Sequence, residues 1–126
     1  MSGRCQDLKV WQKALELTLA IYRETKHFPH EEMYGLTNQM RRAAVSVTGN
    51  IAEGKGQSSD RDFAVFLCPA RGSLHELETQ FLIARDFGYL REEGTPTIQL
   101  SIAETGNMLN GLINSMRPKL AERKSA

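Results

Sequence analysis

Apolar residues recur every three or four positions along four stretches of the chain, and glycines, prolines and short polar runs separate these stretches. Since each residue of an α-helix turns the chain by about 100°, this spacing places the apolar side chains on one face of a helix. The pattern predicts four long helices near residues 7–26, 35–55, 59–88 and 95–116. No strand pattern stands out, so the predicted fold is all-α, an antiparallel up-and-down four-helix bundle.

The second predicted helix has the pattern of a central helix. Its core line consists of Leu36, Met40, Ala43, Ala44, Val47 and Ile51. Small residues also lie on its other sides and allow neighbouring backbones to approach. We expect this helix to end near Gly54–Gly56, because glycine readily adopts the left-handed conformation of a helix end.

The first predicted helix carries two apolar groups side by side, which together are wider than one bundle seam needs. The group assigned to the core is Leu8, Trp11, Leu15, Leu19 and Tyr22. The other group is Val10, Ala14, Leu17 and Ile21. This second group packs either against a neighbouring helix of the same domain or against another subunit.

The third predicted helix begins after Ser59, which with Asp62 resembles a capping box, and ends at Gly88. Its core line is Phe63, Leu67, Ala70, Leu74, Leu77 and Phe81. The far side carries a second apolar surface with Val65, Ile83 and Phe87. Pro69 removes one backbone donor and predicts a kink.

The fourth predicted helix begins at Thr95-Pro96 and ends at Pro118. Its core line is Ile98, Ile102, Thr105, Leu109, Leu112 and Met116. Residues 1–118 therefore form the predicted bundle domain, and residues 119–126 are predicted to be a disordered basic tail.

Composition narrows the function classes. A chain of 126 residues favours one domain, and a net charge of +1 gives no general attraction to nucleic acid or anionic lipid. Cys5 and Cys68 have neither zinc-site nor disulfide-framework spacing, which fits a reducing compartment. No apolar run approaches the roughly 20 residues that span a bilayer, and the N-terminus lacks the apolar segment of a signal peptide. A cytoplasmic location without a membrane partner is expected.

Three charged residues form the first candidate cluster. Glu78 lies close to the core line of the third helix, where a carboxylate needs a partner. Arg41 and Arg42 of the central helix are the natural partners. The prediction is a buried ion pair that fixes the helix register, and the alternative is an anion-binding cluster.

Asn50 and Glu53 form a second candidate pair near the end of the central helix. They are either a satisfied buried amide and a helix-end polar residue, or contacts to a ligand or another subunit. Lys55-Gly56 does not form a phosphate loop, because no strand precedes it and GxxxxGK[ST] is absent.

No catalytic set can be argued from spacing. Glu24 and His27 have the spacing of a bundle metal motif, but a di-iron site needs a second such motif and two further glutamates. Glu76 and Glu78 do not share a helix face. We expect no catalytic residue, metal or cofactor, and an enzyme such as a hydrolase is the least favoured function.

Several segments, in order along residues 7–90, resemble one family. They are Asp7–Ala14, Phe28-Pro29 with Glu32, Gly35–Thr37, Gln39–Val47, Asn50–Gly54, Gly72–Leu74 and Glu76–Gln80. They resemble bacterial four-helix-bundle proteins encoded in intervening sequences of 23S ribosomal RNA genes, a group that includes the accessory variability protein of diversity-generating retroelements. The resemblance implies a ring-like homopentamer and no established enzyme activity. It implies nucleic-acid or reverse-transcriptase partners for some members only.

The favoured function is that of a non-enzymatic homo-oligomer whose role stays open. Its expected subunit contacts are Val10, Leu17 and Ile21 on the first helix and Val65, Ile83 and Phe87 on the third. Exposed apolar surfaces of this kind mark interfaces, and head-to-tail contacts can close into a ring. The number five comes from the resemblance.

The alternative function is nucleic-acid binding as an accessory protein. Its expected contacts are Arg41, Arg42, Lys55, Arg61 and the basic tail. The retroelement accessory proteins are strongly basic, whereas this chain is near neutral, so we expect weak and strongly salt-sensitive binding.

Overall fold

A computed structural model describes the backbone of residues 8–125 and the side chains of residues 8–116. It contains four α-helices: α1 (Lys9–Thr25), α2 (Leu36–Lys55), α3 (Asp60–Asp86) and α4 (Thr95–Ser125). A short 3-10 helix, His30–Glu32, lies between α1 and α2, and residues 8–125 contain no strand. The all-α prediction and the first three helix ranges are confirmed to within two residues.

Each helix packs against the helices before and after it in the chain. α1 contacts α2 and α4, and α3 contacts α2 and α4, while in the described part of the chain the backbones of the diagonal pairs do not come within 8 Å of each other, Cα to Cα. With short connections, this order is compatible with an up-and-down four-helix bundle. The contact between α2 and α3 is the most extensive, and Gly54 allows it. A Cβ at that position would lie 2.7 Å from Cδ1 of Phe63, so a larger residue cannot be placed there without a shift.

The core faces of α2, α3 and α4 were predicted correctly. All six predicted core residues of α3 are buried, and five of the six predicted for α2 and for α4 are buried as well. Each of these helices has one regularly spaced apolar line, although α3 also carries Val65, Ile83 and Phe87 on its far side, so periodicity identified the side that faces the other helices.

On α1 the second apolar group forms the core, and of the predicted core group only Leu8 and Trp11 pack against it. Val10, Leu17 and Ile21 lie in the core of the subunit, whereas Leu19 is 45% exposed and Tyr22 is also exposed. Val10, Leu17 and Ile21 are therefore not available for a subunit contact, and that prediction is wrong. Two adjacent apolar arcs give the same helical period, so the period alone cannot identify the inward one.

α2 ends at Lys55, within the predicted range, but not in the expected conformation. Gly54 stays inside α2, and Gly56 caps that helix with a φ of −73°, so the expected left-handed end is absent there. The close contact with α3 explains the glycine at position 54. Gly88, with a φ of +77°, does end α3 in the left-handed conformation as predicted.

α4 continues through Pro118 to Ser125, so the predicted helix end at Pro118 is wrong. Proline removes the hydrogen bond to the carbonyl of Asn114, but Asn114 is exposed, so water can solvate that carbonyl. The disordered tail at 119–126 stays a prediction.

The predicted cap of α3 is confirmed, because the backbone N–H of Asp62 donates to Oγ of Ser59 at 3.1 Å. Asp7, where the first predicted helix begins, lies outside the described residues. Among the described helices, none is long and apolar enough to cross a bilayer.

Candidate functional site

A polar cavity of about 540 Å³ lies in the groove between α2 and α3. We call it the α2–α3 groove. Its polar lining residues are Gln39, Arg42 and Ser46 from α2 and Ser73, Glu76 and Gln80 from α3. Ala43 also lines the cavity, and its small side chain leaves space between the longer ones. All six polar residues belong to the segments that carry the family resemblance.

Serine hydroxyls join the two helices at one end of the groove. Oγ of Ser46 and Oγ of Ser73 are 2.8 Å apart and share a hydrogen bond. Asn50 supports this contact, because its Nδ2 donates to the carbonyl of Ser46 at 2.8 Å and to its Oγ at 3.1 Å. Asn50 is thus the satisfied, half-buried amide that the sequence suggested.

Gln80 lies at the other end of the groove. α2 and α3 run antiparallel, and Ser46 lies opposite Ser73. Gln39, seven residues before Ser46, therefore lies opposite Gln80, seven residues after Ser73. Gln80 is only 7% exposed, and its buried Oε1 has no hydrogen-bond partner. Buried polar atoms rarely remain unpaired in folded proteins, so the expected donor to this acceptor is a water molecule or a group from outside the subunit.

Two opposite charges line the opposite walls of the groove. Arg42 lies on α2 and Glu76 on α3, and both are exposed. Within residues 8–116 they form no ion pair with each other or with another residue. The groove can therefore accept a group that presents a donor or positive charge to the α3 wall.

Glu78 does not form the predicted ion pair. It is exposed, and no salt bridge joins it to either arginine in the described part of the chain. Seven residues before Glu78 on the same line of α3, Arg71 contacts Asn110 of α4 at 3.4 Å. That edge of α3 therefore faces α4 and not α2, which explains the error.

Arg41 contacts α1 instead of α3. Its Nε donates to Oγ1 of Thr25 at 2.8 Å, and its Nη2 donates to the carbonyl of Tyr22 at 3.3 Å. The guanidinium carbon also lies 4.8 Å from the centre of the Tyr22 ring. Arg41 therefore links α1 to α2, while Arg42 alone of the two arginines enters the groove.

The buried carboxylate of the bundle is Glu24, which is 3% exposed. Its Oε2 accepts from the backbone N–H of Arg91 at 2.7 Å, and its Oε1 lies 3.3 Å from the Arg91 guanidinium. Gly94 packs directly against Oε1, where a Cβ would clash. His27 is exposed, and no group of possible ligands in the described residues could hold a metal ion.

The remaining predicted site residues do not gather in the groove. Glu53 is exposed at the end of α2. Lys55, half-buried, and Arg61, exposed, flank the turn between α2 and α3. The groove residues that sequence reasoning missed are Gln39, Ser46, Ser73, Glu76 and Gln80. The signal that could have identified them is that all five are small or polar residues and lie beside the core lines of the second and third helices.

Among the exposed apolar residues of the described chain, two groups bear on the expected assembly. The α1–α2 face consists of Leu15, Leu19, Tyr22 and Val45, of which only Leu15 is partly buried. The α3 outer face consists of Val65, Ile83 and Phe87, and all three are exposed, Phe87 to 69%.

Comparison with known proteins gives one family and one fold. The family model of the 23S rRNA-intervening sequence protein matches residues 6–111. The chain is also similar to a crystal structure, at 1.70 Å resolution, of a protein of unknown function from the S23 ribosomal protein family of Bacteroides thetaiotaomicron. The two share 23% sequence identity and a TM-score of 0.72, over 82% of this chain and 97% of the other. At that identity the similarity shows the fold alone. No curated protein matches the chain.

Proposed function

Since the chain belongs to the family of 23S rRNA-intervening sequence proteins, we propose that it works as a non-enzymatic homo-oligomer, a ring of identical subunits. The observation that carries this proposal is the pair of exposed apolar faces on a subunit whose core is already filled. Five subunits is the number that the resemblance implies.

The α1–α2 face spans two helices that are held together. Tyr22 lies against Arg41, and Oγ1 of Thr18 is 2.9 Å from Oγ1 of Thr48. Leu19 and Val45 are therefore parts of one rigid surface. Neighbouring exposed apolar residues of this kind mark interaction surfaces, and a partner that covers them gains apolar burial.

The α3 outer face differs in composition from the α1–α2 face. A contact between the α1–α2 face of one subunit and the α3 outer face of the next joins two different surfaces, so it is head-to-tail. The α1–α2 face includes Val45 of α2, and the α3 outer face lies on the helix that packs most extensively against α2. Head-to-tail contacts between two different faces close into a ring when the rotation between subunits permits it.

Aspartate substitutions on each face test this proposal. Leu19→Asp and Ile83→Asp each place a charge in the contact and should lower the mass of the assembly toward the 14.2 kDa subunit. Light scattering after size exclusion measures the mass, and circular dichroism checks that the helices persist. Leu100→Asp is the matched control, because Leu100 is 60% exposed on α4, outside both faces. If both Leu19→Asp and Ile83→Asp keep the mass of the wild-type assembly, these faces do not form the contact between subunits.

A second candidate function, nucleic-acid binding, is favoured by the position of the basic residues. Lys55 and Arg61 flank the turn between α2 and α3, at the end of the bundle where α4 also terminates. The last stretch of α4, residues 117–125, contains four basic residues and one acidic residue in sequence. The resemblance to the accessory variability protein would make RNA, DNA or a reverse transcriptase the partner.

Fluorescence anisotropy with single-stranded RNA and with duplex DNA tests this second candidate. We expect weak binding that falls steeply with added salt, because the contacts would be to phosphates. Lys55→Gln and Arg61→Gln should weaken it for all sequences alike. If the protein binds either nucleic acid tightly at physiological salt, nucleic-acid binding becomes the favoured function, ahead of a homo-oligomer without a nucleic-acid partner.

A further inference from the structure

The α2–α3 groove lacks the group that completes it. We propose that Arg23 of a neighbouring subunit enters this groove, pairs with Glu76 and donates to Oε1 of Gln80. The inference rests on the proposed homo-oligomer and identifies the polar contact within it. The groove is then a site completed by a second copy of the chain.

The α3 wall of the groove presents two acceptors one helical turn apart. Glu76 carries an unpaired carboxylate, and Gln80 carries a buried carbonyl oxygen without a donor. An arginine guanidinium has five N–H donors in a planar fork, so one side chain can serve a carboxylate and a neighbouring carbonyl together. A positively charged donor also matches the sign of Glu76.

Arg23 is placed to supply this group. It is exposed on α1, where it also lines a smaller cavity with Glu24 and Arg91, and it makes no ion pair within residues 8–116. It follows Tyr22 directly and lies one turn after Leu19, both on the α1–α2 face. If α1 of one subunit lies in the groove of the next, Leu19 reaches the small Ala43 and Arg23 reaches the α3 wall.

The composition of the groove disfavours other occupants. No aromatic ring lines it, so a nucleobase would find no stacking surface. Six of its seven lining residues are polar, which does not suit an apolar ligand. A small zwitterion such as a free amino acid matches the charges of Arg42 and Glu76, but it would leave the adjacent apolar faces uncovered.

Charge reversal on both sides of the contact tests the inference. Arg23→Glu alone and Glu76→Arg alone should each shift the protein from the oligomer toward the 14.2 kDa subunit in light scattering. The double variant should restore the oligomer, because the pair is re-formed with reversed sign. Lys9→Glu and Glu78→Arg are matched controls, since both residues are exposed on the same helices outside the contact. They should leave the mass unchanged.

Three outcomes overturn the inference. They are single reversals that keep the wild-type mass, a double variant that stays dissociated, and controls that dissociate as readily. If the mass is unaffected while glycine or glutamate raises the melting temperature of the wild type but not of Glu76→Arg, the groove binds a small zwitterion instead. A wild-type monomer would refute the proposed oligomer itself, so the two failures are distinguishable.

Discussion

At the scale of single residues, two carboxylates show what the sequence could and could not reveal. Glu78 was expected to be buried and is exposed, whereas Glu24 is the buried one. Glu24 lies on the same arc of α1 as Leu17 and Ile21, so choosing the correct arc would have identified it. Its partner could not be inferred from spacing, because Arg91 lies in the distant connection before α4.

Removal of the Glu24 carboxylate should destabilise the bundle. Glu24→Ala leaves the backbone N–H of Arg91 without its acceptor and should lower the free energy of unfolding by about 2 kcal/mol. Glu78→Ala, a matched change at an exposed glutamate, should stay within about 0.5 kcal/mol of wild type. Urea unfolding compares the two, and similar losses would show that Glu24 contributes no more than a surface residue.

Tyr89 is a residue whose ionisation reports on its surroundings. Burial, followed by the hydrogen bond from its hydroxyl to Oε2 of Glu32 at 3.1 Å, raises the pKa of Tyr89 above its ordinary value of 10.0. The raised pKa favours the protonated, folded form. Its contribution to stability is present below the unfolded pKa near 10 and is lost as pH rises through the folded value.

Alkaline titration checks this direction. The tyrosine absorbance of the wild type should contain a component that titrates above pH 10.0 and that is missing in Tyr89→Phe. Above that pH, the free energy of unfolding should fall more steeply for the wild type than for the variant. If the component that Tyr89→Phe removes titrates at or below pH 10.0 in the wild type, the pKa of Tyr89 is not raised.

At the scale of helices, the quality of prediction depended on how many apolar lines a helix carries. α3 has one regularly spaced apolar line, from Phe63 to Phe81, and only the widely separated Val65, Ile83 and Phe87 on its far side, so its predicted core is confirmed. α1 has two adjacent arcs, and the polar residues on the buried arc find partners inside the subunit. Thr18, for example, donates to the carbonyl of Ala14 at 2.8 Å. Such internal partners allow an arc with polar members to be buried, and periodicity does not detect them.

The contact between α2 and α3 gives a prediction about two glycines of α2. A Cβ at Gly54 would lie 2.9 Å from Cβ of Phe66, so Gly54→Ala should lower the free energy of unfolding by about 1–3 kcal/mol. Gly49 is the control, because nothing lies within 4 Å of a Cβ there. Gly49→Ala should raise stability by up to about 1 kcal/mol. Thermal unfolding measures both, and equal shifts in one direction would contradict the close approach at Gly54.

At the scale of the whole molecule, the α2–α3 groove could not be predicted, because it depends on the register between two helices. Ser46 and Ser73 are distant in sequence, and only their contact aligns the residues on the two walls. Sequence spacing does place Arg42 and Asn50 on the side of α2 that borders the groove. It cannot show that Glu76, and not Glu78, lies across from them.

The apolar α3 outer face was identified from sequence, but its place in an assembly is a property of the complete molecule. The face on α1 had to be reassigned from Val10, Leu17 and Ile21 to Leu15, Leu19 and Tyr22 once the core was known. The reassigned face borders Val45 of α2, so the surface available to a partner is larger than one helix provides.

The molar mass of the wild-type protein in solution tests the homo-oligomer most directly. Light scattering after size exclusion, repeated over a series of protein concentrations, should give a constant whole-number multiple of 14.2 kDa. A multiple of five would agree with the family resemblance, while another closed ring would change only the number. A mass of 14.2 kDa at all concentrations would contradict the self-association of the two apolar faces.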